Sequence, residues 1–412
     1  MAATNLAPAG QEALIPVEEL TGPEPVVHCA NSLELLPTLP DASVDAIVTD
    51  PPYELGFLGK SWDASGIAYN VDLWAECLRV LKPGGHLAAF GATRNYHRMT
   101  VAIEDAGFEI RDSLHWLYGS GFPKSLDVSK AIDKAAGAER EVIGPPPYRR
   151  GRAGQSYSDT RRTSYDYQPQ PLTAAATEDA ARWEGWTTAL KPGHEPIVLA
   201  RKPLEGTVAS NVLEYGTGAM NTAACKTPPG DPEGRWPTNV LLSHAWALDA
   251  DGWIVDGCTD GCVEGCPVAE LDRQSGLLTS GANPRRRGAD KFRDVYGDFK
   301  GQTVCKPIRG ADSGGASRFY PAFRYQAKAP TSERPRLPDG TVHPTVKPVA
   351  LMRWLVRLLT PPGGLVLDPF AGTGTTLEAA RLEGFDSMGV EEKAEYAKLC
   401  RLRLRRDTTR SA

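Results

Sequence analysis

Leu365-Val366-Leu367-Asp368-Pro369-Phe370-Ala371-Gly372-Thr373-Gly374 reads as a short apolar strand that runs into a two-glycine turn and then a helix. Gly372 and Gly374 let the backbone approach a ligand closely at the helix start, where exposed amides favour negative charge. A second run, Thr49-Asp50-Pro51-Pro52-Tyr53, ends an apolar strand at residues 44–49 in the same manner. Both runs lie at the carboxyl edge of a strand, which is where open α/β sheets bind ligands.

Around these runs, strand and helix patterns alternate. An apolar strand at 25–30 precedes the one at 44–49. A helix comes next, with Leu73, Trp74, Cys77, Leu78 and Leu81 at helical spacing. Lys82-Pro83-Gly84-Gly85 reads as a stop before a strand at 87–90. Met99, Ala102, Ile103 and Ala106 mark a second helix, closed by Gly107, and an extended stretch covers 108–118. The same order returns near the other end, with a helix at 349–359, the strand at 365–367, a helix after Gly374, a strand at 388–390 and a last helix to about 405. Strands separated by helices imply a parallel sheet. The tract between is different: 144–182 has no apolar periodicity and reads as a mobile insert, and the only clear strand beyond it is 196–200. The simplest architecture is an α/β fold with one mostly parallel, Rossmann-like sheet built from both ends of the chain and an irregular inserted region.

The 412 residues are 41% hydrophobic and 24% charged, an ordinary balance for a globular protein rather than a disordered one. No apolar run is long enough to span a bilayer, and the N-terminus lacks a signal pattern, so no membrane is expected and the cytoplasm is the expected location. The net charge of -5 excludes a uniformly basic nucleic-acid binder, yet Arg149, Arg150, Arg152, Arg161 and Arg162 lie together with little acid nearby.

A nucleotide-like cofactor suits the glycine turn. Glu391, about 20 residues on at a strand end, is placed for ribose hydroxyls, as in dinucleotide-binding folds. The third glycine of that pattern is missing, because Leu377 stands in its place, and S-adenosylmethionine fits better than a dinucleotide. The bare motif is also compatible with a turn that holds no ligand. In the other run, two prolines fix φ and remove two backbone donors, so a carbonyl there is free to point at a ligand. The Asp50 carboxylate and the Pro51 carbonyl together suit an exocyclic amino group, which has two hydrogens to donate, and Tyr53 offers a flat face for a planar base. Such an amine is a poor nucleophile, so catalysis would rest on orientation and on stabilising positive charge at nitrogen. A plain β-turn is the alternative reading of Pro51-Pro52-Tyr53.

Together these motifs resemble the amino-group (N6-adenine/N4-cytosine) DNA methyltransferases of the class in which the catalytic motif precedes the cofactor motif. His343-Pro344-Thr345-Val346-Lys347-Pro348 is similar to the family segment that contacts the methionine end of the cofactor, which implies Thr345 and Lys347 for its carboxylate. Alone, that hexapeptide is compatible with a simple helix start. Phe57-Leu58-Gly59-Lys60-Ser61-Trp62-Asp63, Gly119-Ser120-Gly121-Phe122-Pro123-Lys124-Ser125 and Leu190-Lys191-Pro192-Gly193-His194-Glu195-Pro196 look like segments of phage-type and orphan bacterial members. Where the family usually has an acid near the cofactor's adenine, this chain has Asn31. The resemblance implies methyl transfer from S-adenosyl-L-methionine to N6 of adenine in double-stranded DNA, with N4 of cytosine, an RNA or protein amide, or a decayed DNA-binding protein as alternatives. Asp50, Pro51, Pro52 and Tyr53 would form the catalytic turn. Asn31, Thr345, Lys347, Asp368, Pro369, Phe370, Gly372, Gly374 and Glu391 would surround the cofactor. The implied division is a catalytic half at 22–143, a partly disordered target-recognition region at 144–338 and a cofactor half at 339–406. The resemblance implies a restriction-modification setting, with an unpartnered or regulatory enzyme as the alternative, since no nuclease motif is evident in the sequence.

Cys258, Cys262 and Cys266, with His244 upstream, offer soft ligands at a spacing compatible with a structural zinc site. Cys225 or Cys305 is an alternative to His244, and solvent-tolerant thiols in a glycine-rich loop are the plain reading. The arginines near 150, 161 and 286, interleaved with Tyr148, Tyr157, Tyr165 and Tyr167, suit phosphate contacts and base stacking, or are solvated charge. Arg401, Arg403, Arg405 and Arg406 read as the solvated end of the last helix.

Overall fold

The structure, a computed structural model, describes residues 25–55, 61–118, 125–145, 171–227, 234–248, 254–256, 262, 266–280, 312–323, 334–343 and 345–405. Its internal contacts separate two compact units, one of Met1–His115, Glu195–Asn221 and Lys328–Ala412, the other of Trp116–His194 and Thr222–Ala327. Among the described residues no helix is long and apolar enough to cross a membrane.

The first unit holds all or most of strands β1 (Val26–His28), β2 (Val44–Thr49), β3 (Leu81–Phe90), β4 (Glu109–Leu117), β5 (His194–Arg201), β6 (Leu365–Asp368) and β7 (Asp386–Val390). They stand in the order β1-β7-β6-β2-β3-β5-β4. Neighbours from β1 to β3 are parallel, while β5 runs antiparallel to β3. The helices of this unit include α1 (Ser32–Leu35), α2 (Val71–Val80), α3 (Tyr96–Asp105), α4 (Val349–Leu359), α5 (Thr375–Glu383) and α6 (Ala394–Leu404).

Local chemistry accounts for these elements. Every residue of β2 is buried, as expected of a central parallel strand whose two faces are both covered. In α2 the Asn70 side chain accepts from Asp72 N, while Leu73, Trp74, Cys77 and Val80 face the core. Full burial of a side chain such as Leu73 contributes roughly 1.5–3 kcal/mol. Gly389 in β7 lets α5 close on the sheet, because a Cβ there would sit 2.8 Å from both Ala371 Cβ and Leu377 Cδ1.

From β6 the chain crosses through α5 to β7 on one side. From β2 it crosses through α2 to β3 on the other. Neighbouring strands whose crossovers leave in opposite directions open a crevice beyond their carboxyl ends. Residues 49–53 and 368–374 are the two loops at that place.

Three sequence expectations need correction. Lys82-Pro83-Gly84-Gly85 does not separate helix from strand, because β3 starts at Leu81 and runs through them. The irregularity is absorbed as a register shift between Val44 and Ala46, with Gly84 at φ +77° and Asn211 Nδ2 only 2.6 Å from where its Cβ would lie. Arg403 is not solvated but fully buried, paired with Glu378 of α5 and donating to Thr373 Oγ1 at 3.4 Å, because this face of α6 packs inward. Arg401 and Arg405 are exposed, and Arg406 lies outside the described residues. Finally, the tract at 144–182 contains order: a strand at Leu172–Thr173 pairs with Val142–Gly144, and a helix comes after it at Glu178–Arg182. Asp133 supports it by accepting from Arg140 and from the amides of Ala176 and Thr177. The rest of that tract, including the arginines at 149–162, lies outside the described residues, as do Arg285, Arg286 and Arg287.

In the second unit Val240–Ser243 pairs in parallel with Ala322–Phe323, and Leu242, Cys266 and Val268 form a small buried cluster.

Candidate active site

The two loops at the crevice are tied by one carboxylate. Register pairs Leu367 with Ile47, which brings the ends of β6 and β2 level. Thr49 Oγ1 donates to Asp368 Oδ1 at 2.7 Å, Phe370 N donates to the same oxygen at 3.1 Å, and Thr376 Oγ1 of α5 donates to Oδ2 at 2.6 Å. Burial lifts the Asp368 pKa to about 6, against the pull of Thr376 and Thr49. Asp368 therefore clamps both turns.

Asp50 is the next residue after Thr49. Its Oδ2 accepts from Lys347 Nζ at 2.6 Å, whereas its Oδ1 is buried and has no hydrogen-bond partner. Burial raises the Asp50 pKa, Lys347 opposes the rise and Glu195 adds to it. Pro51 is buried beside it. Tyr53 is held at four points: its amide donates to Asp63 Oδ1 at 2.8 Å, its carbonyl accepts from Asn95 Nδ2 at 2.6 Å, its hydroxyl donates to Glu195 Oε2 at 2.7 Å, and the same hydroxyl accepts from Lys347 at 2.9 Å. Glu54 sits at φ +53°, a conformation that costs a non-glycine residue about 1–2 kcal/mol. Its carboxylate accepts from Gly66 N at 2.8 Å, which fastens the strained loop. A small crevice beside Tyr53 is lined by Pro52, Tyr69, Phe90, Asn95, Tyr96 and Met99, a flat and mostly apolar environment.

On the other side of the clamp, Gly372 and Gly374 take φ +53° and +76°, and Gly374 caps α5. Gly374 also permits a close approach, because a Cβ there would lie 2.4 Å from Cys400 Sγ of α6. Glu391 accepts from Gly372 N at 2.9 Å and from Lys393 N at 2.8 Å. Burial nevertheless lifts its pKa to about 7. Asn31 caps α1, its Oδ1 accepting from Leu33 N at 2.9 Å, and its Nδ2 donates to Glu392 Oε1 at 3.1 Å. Ser32 Oγ donates to the Pro369 carbonyl. His343 is held neutral by burial, with its pKa lowered to about 4; its Nδ1 meets the backbone carbonyl and amide of Thr345, and its ring meets Tyr396 edge-on at 4.4 Å.

The residues singled out in the sequence thus fall into two neighbouring groups. Asp50, Pro51, Pro52, Tyr53 and Lys347 form one. Asp368, Pro369, Phe370, Gly372, Gly374 and Glu391 form the other, with Asn31 joined to it through α1. Lys347, expected on a cofactor carboxylate, is only 10% exposed and is engaged with Asp50, Tyr53 and Glu195, the last at 3.3 Å. Both carboxylates raise its pKa against the effect of burial, so it stays charged. Glu195 is the residue that sequence reasoning missed. Its signal was present, an acid placed where a Lys-Pro-Gly-His run enters an apolar strand.

In the second unit, His244 Nδ1 lies 3.4 Å from Cys262 Sγ and 3.6 Å from Cys266 Sγ, and the three ligand atoms all lie within 4.8 Å of one another. Cys258 lies outside the described residues.

The chain is similar to several known proteins. The type II methyltransferase M.HindIII of Haemophilus influenzae is 27% identical over 315 residues, 76% of this chain and 60% of that protein. The DNA adenine methyltransferase YhdJ of Escherichia coli is 44% identical over 57 residues, 14% of this chain and 19% of its own. Type II methyltransferase M.HpaI of Haemophilus parainfluenzae is 30% identical over 114 residues, 26% of this chain and 35% of that protein. The chain therefore covers less than two thirds of each of these curated relatives. Among solved structures, the M1.HpyAVI–SAM complex aligns over 92% of this chain and 99% of its own at 14% identity and a TM-score of 0.38. The cytosine-N4-specific PvuII DNA methyltransferase aligns over 94% and 91% at 15% identity and a TM-score of 0.38. The DNA methylase family model spans residues 44–401, from the first residue of β2 into α6, and the chain belongs to that N6/N4 methyltransferase family.

Proposed function

We propose that this chain is a cytoplasmic enzyme that methylates the exocyclic N6 of adenine in double-stranded DNA with S-adenosylmethionine. The observation that carries the reading is the buried Asp50 Oδ1, an acceptor without a partner at the end of β2 and next to two prolines. A buried acceptor left unsatisfied is costly, and an amino hydrogen would relieve it. Asp50 takes one hydrogen and the Pro51 carbonyl the other, which turns the nitrogen lone pair toward the glycine turn across the clamp. Tyr53, fixed at both its backbone and its hydroxyl, stacks on the base. A base must leave the duplex to reach such a site, at a cost of a few kcal/mol that stacking partly offsets. The carboxylates of Asp50 and Glu195 stabilise positive charge as it develops on nitrogen.

The residues present suit the cofactor. Gly372 and Gly374 supply a turn without side chains at the start of α5, Glu391 supplies a carboxylate for ribose hydroxyls, and neutral His343 with Tyr396 lies beside Gly372. When bound, the cofactor supplies an electrophilic methyl group on sulfonium. Recognition of the DNA word we assign to residues 144–338, whose arginine tracts suit phosphate contacts.

Asp50→Ala should lower methyl transfer by at least about a hundredfold while cofactor affinity stays within a few-fold. Radiolabelled methyl incorporation into duplex DNA, RNA and protein, followed by nucleoside mass spectrometry, identifies the acceptor. N4-methylcytosine as the product would replace adenine, and near-normal turnover by the variant would remove Asp50 from the mechanism. The YhdJ relative, named a DNA adenine methyltransferase, supports adenine.

We further propose that His244, Cys262 and Cys266 hold a structural zinc ion, with Cys258 as the sequence candidate for the fourth ligand. Tetrahedral zinc with ordinary bond lengths sets its nitrogen and sulfur ligands roughly 3.6 Å apart. The 3.4 and 3.6 Å separations of His244 from the two thiols match that edge.

A further inference from the structure

We infer that Glu195 is a positioning residue of the methyl-transfer site: it fixes Lys347 and Tyr53 so that one oxygen of Asp50 is covered and the other stays open to the base. The inference rests on the methyl-transfer reading above and adds to it a residue that the catalytic turn does not contain.

Counting protons assigns the role. An ammonium has three to give. Lys347 directs them at Asp50 Oδ2 at 2.6 Å, the Tyr53 hydroxyl at 2.9 Å and Glu195 Oε2 at 3.3 Å. None is left for Asp50 Oδ1, which is why that atom is buried yet unpartnered. The Tyr53 hydroxyl has one proton, and it goes to Glu195 at 2.7 Å. Without Glu195, the ammonium and the phenol would each have a donor to redirect, and both already face the Asp50 carboxylate, whose second oxygen is unoccupied. The substrate amine would then meet an oxygen already in use.

The backbone places Glu195 where this requires it. Ile197 of β5 pairs with Phe90 at the end of β3, and Gly91 N donates to Pro196 O at 2.9 Å. Glu195 therefore stands beyond the end of β3, beside the turn that comes after β2. The Lys347 ammonium is also packed 4.9 Å from the Tyr53 ring centroid and 4.8 Å from that of Phe90, which limits its freedom to swing. Charge gives the same answer. Asp50, Glu195 and Lys347 sum to one negative charge, whereas Asp50 and Lys347 alone would be neutral and would do little for a nitrogen that becomes positive.

The test uses the full chain, radiolabelled S-adenosylmethionine and genomic DNA from a host without DNA methyltransferases, with Glu195→Gln, Glu195→Ala and Asp50→Ala beside the wild type. Glu195→Gln should lower kcat at least tenfold, leave cofactor affinity within twofold and leave the melting curve unchanged. The groups facing Asp50 are Lys347, Tyr53, Glu195 and Asp368. Removing the Glu195 charge, which helps hold the Asp50 pKa up, should move the acid limb of kcat to lower pH, a shift that a merely structural role would not produce. Should Glu195→Ala fold poorly, Glu195→Gln decides alone. A Glu195→Gln enzyme with kcat within twofold of wild type and an unmoved acid limb, while Asp50→Ala is inactive, overturns this inference and leaves the methyl-transfer reading intact. A wild-type chain that transfers no methyl group overturns both.

Discussion

Gly374→Ala should unfold the cofactor turn by two separable effects. The residue has φ +76°, and holding an alanine in the left-handed region costs about 1–2 kcal/mol. The added methyl would also lie 2.4 Å from Cys400 Sγ, inside any permitted contact, with the Cys400 Cβ at 3.5 Å behind it. Cys400 is fully buried, and overpacking of this kind costs about 1–3 kcal/mol. The sum, about 2–5 kcal/mol, is a large share of the roughly 5–15 kcal/mol that holds a domain folded. The assay is urea unfolding of wild type, Gly374→Ala, Cys400→Ala and the double variant. Cys400→Ala removes the sulfur and leaves only the ordinary 3.5 Å contact, so the double variant should recover the steric share, about 1–3 kcal/mol, and keep the backbone share. A Gly374→Ala chain within about 0.5 kcal/mol of wild type, or a double variant no better than the sum of its parts, would refute the reasoning.

Two other expectations concern protons and metal. Glu391 has its pKa raised from 4.5 to about 7, so the unliganded fold loses stability as pH rises from the lower value through the higher, whereas ribose hydroxyls prefer the ionised carboxylate. Cofactor affinity measured by calorimetry should therefore rise up to about tenfold between pH 6 and pH 8, with proton release, and Glu391→Gln should flatten the dependence; a flat wild-type profile would remove Glu391 from the cofactor site. Protein purified without chelator should carry about one zinc by plasma mass spectrometry, with cobalt substitution giving thiolate charge-transfer bands that Cys262→Ser and Cys266→Ser abolish. Metal-free protein with an unchanged melt would end the zinc proposal.

The two turns were legible because each depends on a residue type that few others can replace. Positive φ at Gly372 and Gly374 calls for glycine, and paired prolines after Asp50 announce a backbone withdrawn from the ladder. The absence of a third glycine at Leu377 was legible too, though its reason was not. The small residue that lets helix and sheet close together is Gly389, on the strand rather than the helix. What the sequence hid were pairings between distant charges. Arg403 looked like one more solvated cation until Glu378 buried it, and the partners of Glu195, Tyr53 and Lys347, lie 142 residues before it and 152 after it. Local pattern carries no information about such pairs. Lys82–Gly85 misled for the opposite reason, because a stop signal at the level of local propensity was overridden by pairing with β2.

The order in which the sheet is made has a consequence for the nascent chain. β2 is flanked by β3 on one side and β6 on the other, and β6 begins at Leu365, more than 300 residues after Thr49. At translation rates of roughly 5–20 residues per second, the ribosome takes on the order of 15–60 s to deliver the missing neighbour. Throughout that interval a strand whose every residue is buried in the finished fold presents an open ladder, the template on which chains pair with one another. Expression at lowered temperature or with extra chaperone should improve recovery more than any change to the finished surface.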